Sequence, residues 1–382
     1  MKRVDIAIMY ICTALTLCVM YATQPLQPLF EEMLKVSKFE ASLFTTSILA
    51  PLAVASIVYG YFLEKFSIKK ILVVAFLLFG ILELAFAFSS TYLVLLNIRA
   101  AQGLIAPAAL TGIMSYISQN SHPSKVSSAI GVYIGITIIG GFVGRFLSGF
   151  FTDLFGWRFF FVVLGILLLI ATLLLTRISG DANPNYIKPK LSDIITTFKI
   201  KHNCYIYLAI FCVFFTFQAV LNFLPFELMI LDGGYSGSKT GIMYFGYIVG
   251  VLISFNIKKI VEILKTSPNA IMVGVLIYIF SIQILRFENL YVLFGAMIIF
   301  CLGNFLAHVA ASAYVNKMAQ NHKAIANGLY ISFYYAGGAL GSFVPGVFYR
   351  TGGWSLFLTF LSVVVALSLV FIWLLNKYAK TI

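Results

Sequence analysis

Twelve apolar runs fill most of this chain, each about 18 to 25 residues long, the length that crosses a bilayer core. They lie near 6–29, 42–63, 71–89, 92–116, 127–151, 158–176, 204–228, 240–257, 268–285, 290–314, 325–349 and 354–376. A water-soluble fold of 382 residues could not hide them: 61% of the residues are hydrophobic and 10% charged, where a soluble domain carries about 25% charged residues. Lipid is the expected solvent. It admits only helices and closed barrels, because an unpaired backbone group in hydrocarbon costs several kcal/mol. Barrel strands would alternate polar and apolar residues, and these runs do not alternate. The expectation is an all-α, multi-pass membrane protein. The first run is too long for a cleavable signal, and no small-residue cleavage site follows it.

The net charge of +13 raises nucleic acid as a partner, but its distribution points elsewhere. With the N-terminus inside, 18 Lys and Arg fall in cytoplasmic segments and 6 in outer ones, while Arg99 and Arg145 lie within spans. That bias places both termini in the cytoplasm, so the basic charge encodes topology. Cys12, Cys18, Cys204, Cys212 and Cys301 all fall in predicted spans. They have no metal-ligand spacing and suggest no disulfide framework. No G-x-x-x-x-G-K-[ST] phosphate loop, H-E-x-x-H or C-x-x-C occurs, so neither ATP drive, a metal nor another cofactor is expected. The loops are too short to house a catalytic domain. An enzyme is not expected, and an ion gradient is the expected energy source.

The longest polar segment, 177–203, divides the chain into an N-terminal six-span bundle (1–176) and a C-terminal one (204–382). Within it Leu191, Ile194, Ile195 and Phe198 fall at i, i+3, i+4 and i+7, the stripe of an amphipathic helix on the inner leaflet. The two bundles repeat each other. At an offset of 197, Gly131, Tyr133, Gly140, Gly141, Gly144, Gly149, Gly156 and Trp157 meet Gly328, Tyr330, Gly337, Gly338, Gly341, Gly346, Gly353 and Trp354. Internal symmetry of this kind is how many secondary transporters are built, with a site between the repeats at mid-membrane. Arg145 meets Ser342, so this intramembrane arginine belongs to one half only.

Ordered motifs accompany the repeat. GYFLEKFSIKK, residues 60–70, follows the second span. Its Gly60, Leu63, Glu64, Lys65, Lys69 and Lys70 resemble the signature loop G-x-L-a-D-r-x-G-r-[RK] of the major facilitator superfamily, with Ser67 in place of the second glycine. The copy after the eighth span keeps Lys258 and Lys259 without an acid. NIRAAQGLIAPAAL in the fourth span, with Arg99, Gln102 and Gly103, is similar to the family's R-x-x-Q-G element, Ile105 replacing a glycine. The fifth-span GGFVGRFLSG fits the small-residue spacing of the family's antiporter run, with Arg145 where a proline would stand. With YATQPLQPLF in the first span, the chain resembles bacterial drug:proton antiporters and sugar-efflux permeases.

The resemblance implies two pseudo-symmetric six-helix bundles working by alternating access, with Gly60, Glu64, Lys65, Lys69 and Lys70 as a cytoplasmic latch or gate. It also implies a cavity lined by the first, fourth, seventh and tenth spans. Polar residues of those spans are the candidates: Tyr21, Gln24 and Gln27; Gln102; Gln218 and Asn222; Asn304 and His308. An arginine in a membrane needs a partner or a wet cavity. Glu83 and Arg99 lie about six residues below the outer ends of antiparallel helices, both about 9 Å deep at 1.5 Å per residue, and are expected to pair. Arg145 is expected on the side of its helix away from lipid, meeting water, an acid or an anionic substrate group. Glu83, Arg99 and Arg145 are thus the candidates for proton coupling or anion contact. The expected partners are a small-molecule substrate, protons and lipid, with no nucleic acid, and the expected state is a monomer. Proton-coupled export of a small organic molecule is the favoured function. The alternative is transport, in either direction, of an anionic metabolite, a sugar or a metal-chelating metabolite.

Overall fold

The computed structural model describes residues 3–121, 126–179, 191–318 and 323–379. Among these the secondary structure is helical, with no strand. The first predicted span is interrupted. Helix α1 (Arg3–Tyr21) ends, a 3-10 turn covers Gln24–Leu26, and α2 (Gln27–Leu34) follows. Pro25 and Pro28 are the cause: each lacks the N–H that would continue the helix, and each is tolerated only in the first turn of what comes next. Tyr21, Gln24 and Gln27 therefore do not share the face of one continuous helix. The remaining spans of the first half are α3 (Lys38–Lys65), α4 (Ile68–Phe88), α5 (Tyr92–Asn120), α6 (Val126–Phe155) and α7 (Trp157–Arg177).

In the linker, α8 (Leu191–Lys199) forms where the apolar stripe predicted it. Ile195 is exposed, and Phe198 stacks on Phe333 at 5.6 Å. The side chains of Leu191 and Ile194, and all of residues 180–190, lie outside the described residues. Helix α9 (Lys201–Asp232) runs unbroken through Pro225. The eighth span is split into α10 (Gly237–Met243) and α11 (Tyr247–Ile263) by a 3-10 turn at Tyr244–Gly246. Then come α12 (Ser267–Ile284), α13 (Leu290–Met318), α14 (Lys323–Gly341) and α15 (Gly346–Ala379).

Among the described residues, 11 segments are long and apolar enough to cross a membrane. The eleventh predicted span, 325–349, is not one of them. Its helix α14 stops at Gly341 and the chain resumes at Gly346. Pro345 stands in the gap, and three tyrosines and four glycines make α14 less apolar than its neighbours. Within α15, Gly352 and Gly353 leave helical geometry, Gly353 at φ 63°.

The chain forms two compact units, Met1–Lys188 with Tyr235–Tyr244, and Pro189–Gly234 with Phe245–Ile382. The repeat read from sequence is also a repeat of contacts. In the first unit Gly140 and Gly144 of α6 press on α1: a Cβ added there would lie 2.8 Å from Ala14 Cα and 2.6 Å from Cys18 Cα. In the second unit Gly337 and Gly341 of α14 press on Phe211 and Phe215 of α9, which are Ala14 and Cys18 shifted by the same 197 positions. Tyr10 Oη donates to Ala129 O at 3.1 Å, and its equivalent Tyr207 donates to Ala326 O at 2.9 Å. Gly156 and Gly353, each just before a tryptophan, both hold positive φ, 82° and 63°, a conformation that suits glycine. One contact is mirrored with its ends exchanged. Arg158 donates to Ser89 O in the first unit, and Arg286 donates to Ser355 O in the second.

Candidate functional site

The first unit gathers its intramembrane charges around the break after α1. Glu83 of α4, Arg99 and Gln102 of α5, and Arg145 of α6 are all fully buried. Glu83 and Arg99 are joined through Gln102. The amide Nε2 donates to Glu83 Oε2, while its Oε1 accepts from Arg99 Nη1 at 2.8 Å. An amide carries a donor and an acceptor side by side, so it can face an acid and a base at once. Gln102, expected to line a cavity, bridges the acid and the base. Arg99 reaches further, donating to Val19 O at 2.6 Å and Met20 O at 2.8 Å. Those carbonyls lie in the last turn of α1, where helical partners run out. Glu83 Oε1 and Arg99 Nε have no hydrogen-bond partner among the described residues.

On the other side of the same break sits Arg145. Its Nε donates to Gln24 Oε1 at 2.6 Å, and Nη1 donates to Gly141 O, one turn back, at 2.7 Å. The guanidinium carbon lies 3.9 Å from the centre of the Tyr21 ring and 5.3 Å from that of Tyr244, a cation–π arrangement. The question raised by an arginine in a glycine-rich helix has a local answer. Gly140 and Gly144 bring α6 onto α1, and the turn that ends α1 delivers Tyr21 and Gln24 to the guanidinium. The break thus touches Arg99 through its last carbonyls and Arg145 through its first side chains. Gln27 donates to Thr45 Oγ1 at 2.9 Å, tying α2 to α3.

At the end of this unit where α3 turns into α4, Lys69 donates from Nζ to Ile178 O at 2.8 Å, and Asp5 accepts from Ser179 Oγ at 2.6 Å. Lys69 thereby satisfies a carbonyl at the end of α7, a favourable place for a cation. Lys70 is exposed. Gly60, Glu64 and Lys65 lie on the last turns of α3, and their side chains are outside the described residues.

In the second unit Asn222 donates to Ser342 O at 2.6 Å, so the position equivalent to Arg145 supplies a carbonyl to a helix-to-helix bond. Tyr349 donates to the buried Glu227 at 3.0 Å. His308 is held by Tyr330, whose hydroxyl meets Nδ1 at 2.9 Å, and its ring lies 4.5 Å from that of Tyr334. Gln218 and Asn304 are fully buried.

Sequence reasoning missed Tyr244, Tyr334 and Asp153. Asp153 accepts from Gly237 N at 2.9 Å and Ser238 N at 2.8 Å, capping α10. The one acid of α6, near its end, was the available signal for Asp153. The tyrosine run YISFYY was the signal for Tyr334.

Comparison with known proteins agrees with this architecture. Residues 9–267 match the model of the Major Facilitator Superfamily. An uncharacterized MFS-type transporter of Bacillus subtilis, YybF, is 27% identical, with 96% of this chain and 91% of the relative covered. The inner membrane transport protein YnfM of Escherichia coli is 25% identical, covering 93% and 86%. Among solved structures, a point mutant of the nucleoside transporter NupG superposes with a TM-score of 0.80 at 15% identity, over 98% of this chain and 99% of that one. That identity speaks for the fold alone. The fold is the major facilitator fold, the molecule is a multi-pass membrane transporter rather than an enzyme, and the chain belongs to the Major Facilitator Superfamily.

Proposed function

We propose that this transporter exports a small organic molecule in exchange for protons, by alternating access, from a cell membrane in which both its termini face the cytoplasm. The observation that carries the coupling is the chain of contacts from Glu83 through Gln102 and Arg99 to the carbonyls ending α1. A buried carboxyl with one bonded oxygen is a group that can exchange a proton. Its partner amide passes the change to Arg99, and Arg99 holds the segment that presents Tyr21 and Gln24 to Arg145. Proton uptake at Glu83 would so reach the place where cargo is met, and one proton crossing 100 mV supplies about 2.3 kcal/mol. Export is the direction that goes with the resemblance to efflux permeases, and the arginine-lysine bias gives the orientation.

The test is flux in inverted vesicles under an imposed pH gradient, over a broad panel of compounds. The wild type should accumulate a subset of them, and Glu83→Gln should lower gradient-driven accumulation at least about tenfold, the effect of losing about 1.4 kcal/mol of coupling. Undiminished pH-driven flux in Glu83→Gln would remove the coupling role. Right-side-out vesicles separate import from export.

A second reading, transport of an anionic metabolite, is favoured by Arg145. A buried guanidinium set between Tyr21 and Tyr244 suits a carboxylate or phosphate group. Preference for anionic over neutral members of the panel, lost in Arg145→Gln, would select it.

A further inference from the structure

The second unit contains a buried amide that nothing in the described protein satisfies. Asn304 has no exposed surface, and neither its Oδ1 nor its Nδ2 meets a hydrogen-bond partner. A buried donor or acceptor left unpaired is costly, so such a group calls for an explanation.

Its surroundings supply one. Phe300, Asn304 and His308 form an i, i+4, i+8 row on α13. Phe300 stacks on Phe217 of α9 at 5.5 Å, and His308 lies against Tyr334 of α14 at 4.5 Å. Asn304 stands on that row between Phe300, which also meets Tyr278 of α12 at 4.5 Å, and His308. Phe214 and Tyr334 stack face to face at 3.5 Å with 16° between their planes, and Tyr335 stands edge-on to Phe214 at 6.0 Å. His308 and Tyr334 are only half-buried. Tyr330 bonds to His308 Nδ1 and fixes the imidazole against the stack. No Asp, Glu, Lys or Arg occurs in 202–226, 291–316 or 324–341, the parts of the three helices that form this place.

We propose that Asn304 is a ligand-binding amide, and that with the Phe214–Tyr334–His308 aromatic surface it takes a flat, uncharged group presenting an acceptor beside a donor: a lactam or an aromatic carboxamide. The amide of Asn304 matches such an edge with two antiparallel hydrogen bonds, and the rings supply a face for stacking. These three helix segments bring no charged side chain as complement for an ionised group. This deepens the transport reading and rests on it, naming a chemical class for one end of the cargo.

The experiment uses the full chain in lipid nanodiscs and calorimetric titration with 2-pyridone, 2-quinolone and benzamide. Each is paired with the N-methylated form in which the donor next to the carbonyl is lost (the N,N-dimethyl form for benzamide). At least one parent should bind saturably and about tenfold or more tighter than its methylated partner. A site built to pair with a polar edge rejects the analogue that lacks it. Asn304→Leu should bring that ratio to about one. Phe214→Leu should weaken both members of the pair alike and leave the ratio standing, and loss of the ratio in Asn304→Leu alone is what a merely structural asparagine would not produce. Absence of saturable binding by every parent, equal binding within each pair, or an unchanged ratio in Asn304→Leu overturns the proposal. The outcome is independent of Glu83→Gln in the pH-gradient flux test. Coupled flux with no lactam discrimination rejects the ligand class alone, whereas no coupled flux rejects the proton-coupled export reading.

Discussion

The seam of α6 on α1 and the seam of α14 on α9 are built to one plan and hold different groups. In both, two glycines four residues apart let a helix lie on its neighbour's backbone, the small-residue packing that replaces hydrophobic drive in lipid. The second seam is the tighter. Gly337 and Gly341 face the carbonyl oxygens of Phe211 and Phe215 at closer range than Gly140 and Gly144 face Ala14 and Cys18. The looser seam is the one that carries Arg145, while the tighter carries Ser342, whose carbonyl accepts from Asn222. A duplicated scaffold thus supplies position, and single differences along it change what is held there: a cation in one unit, a neutral amide and aromatic surface in the other.

The comparison breaks hardest at its glycines. Gly341→Ala sets a methyl group against the backbone at Phe215, where neither partner can turn aside. Overpacking costs about 1–3 kcal/mol or more, so a large drop in folded yield and thermal midpoint is expected. Gly144→Ala should cost visibly less, because its neighbour stands further off. Equal losses, measured by thermal unfolding in detergent, would erase the distinction between the seams. Next in size is Arg145→Lys. Lysine keeps the charge but cannot reach Gln24 and Gly141 together or lie flat on the Tyr21 ring. Transport should fall about tenfold or more while the midpoint stays within a few degrees, and equal transport would leave the guanidinium with only a packing role. The smallest effect sharpens the likeness. Tyr10→Phe and Tyr207→Phe each remove one hydrogen bond of the same repeated pair. Each should cost about 0.5–1.5 kcal/mol, and a clear inequality would mean that the two contacts have diverged in worth.

Much of the frame was legible in the sequence, because it is written in local quantities. Length and hydropathy gave the spans, and the offset of 197 paired Gly140 with Gly337 before any contact was known. Depth along antiparallel helices brought Glu83 near Arg99. What stayed hidden depends on side chains meeting across long separations. Nothing local says that Gln24 will meet Arg145 across 121 residues, or that Gln102 will stand between the acid and the base. Hydropathy reads 6–29 as one run, and it does not register the break that Pro25 and Pro28 impose between Tyr21 and Gln27. The stop at Gly341 was missed for a related reason. An apolar stretch continues past it through Phe343, Val344 and Pro345, and hydropathy does not register a missing N–H.

The arginine contacts at Ser89 and Ser355 carry a lesson of their own. Positions 89 and 286, like 158 and 355, are equivalent, yet the guanidinium reaches from one partner in the first unit and from the other in the second. A residue-by-residue alignment of the halves scores two mismatches at a place where the tether itself persists. What the copies hold in common there is a junction rather than a letter, and kinship between them runs deeper than identity counts register.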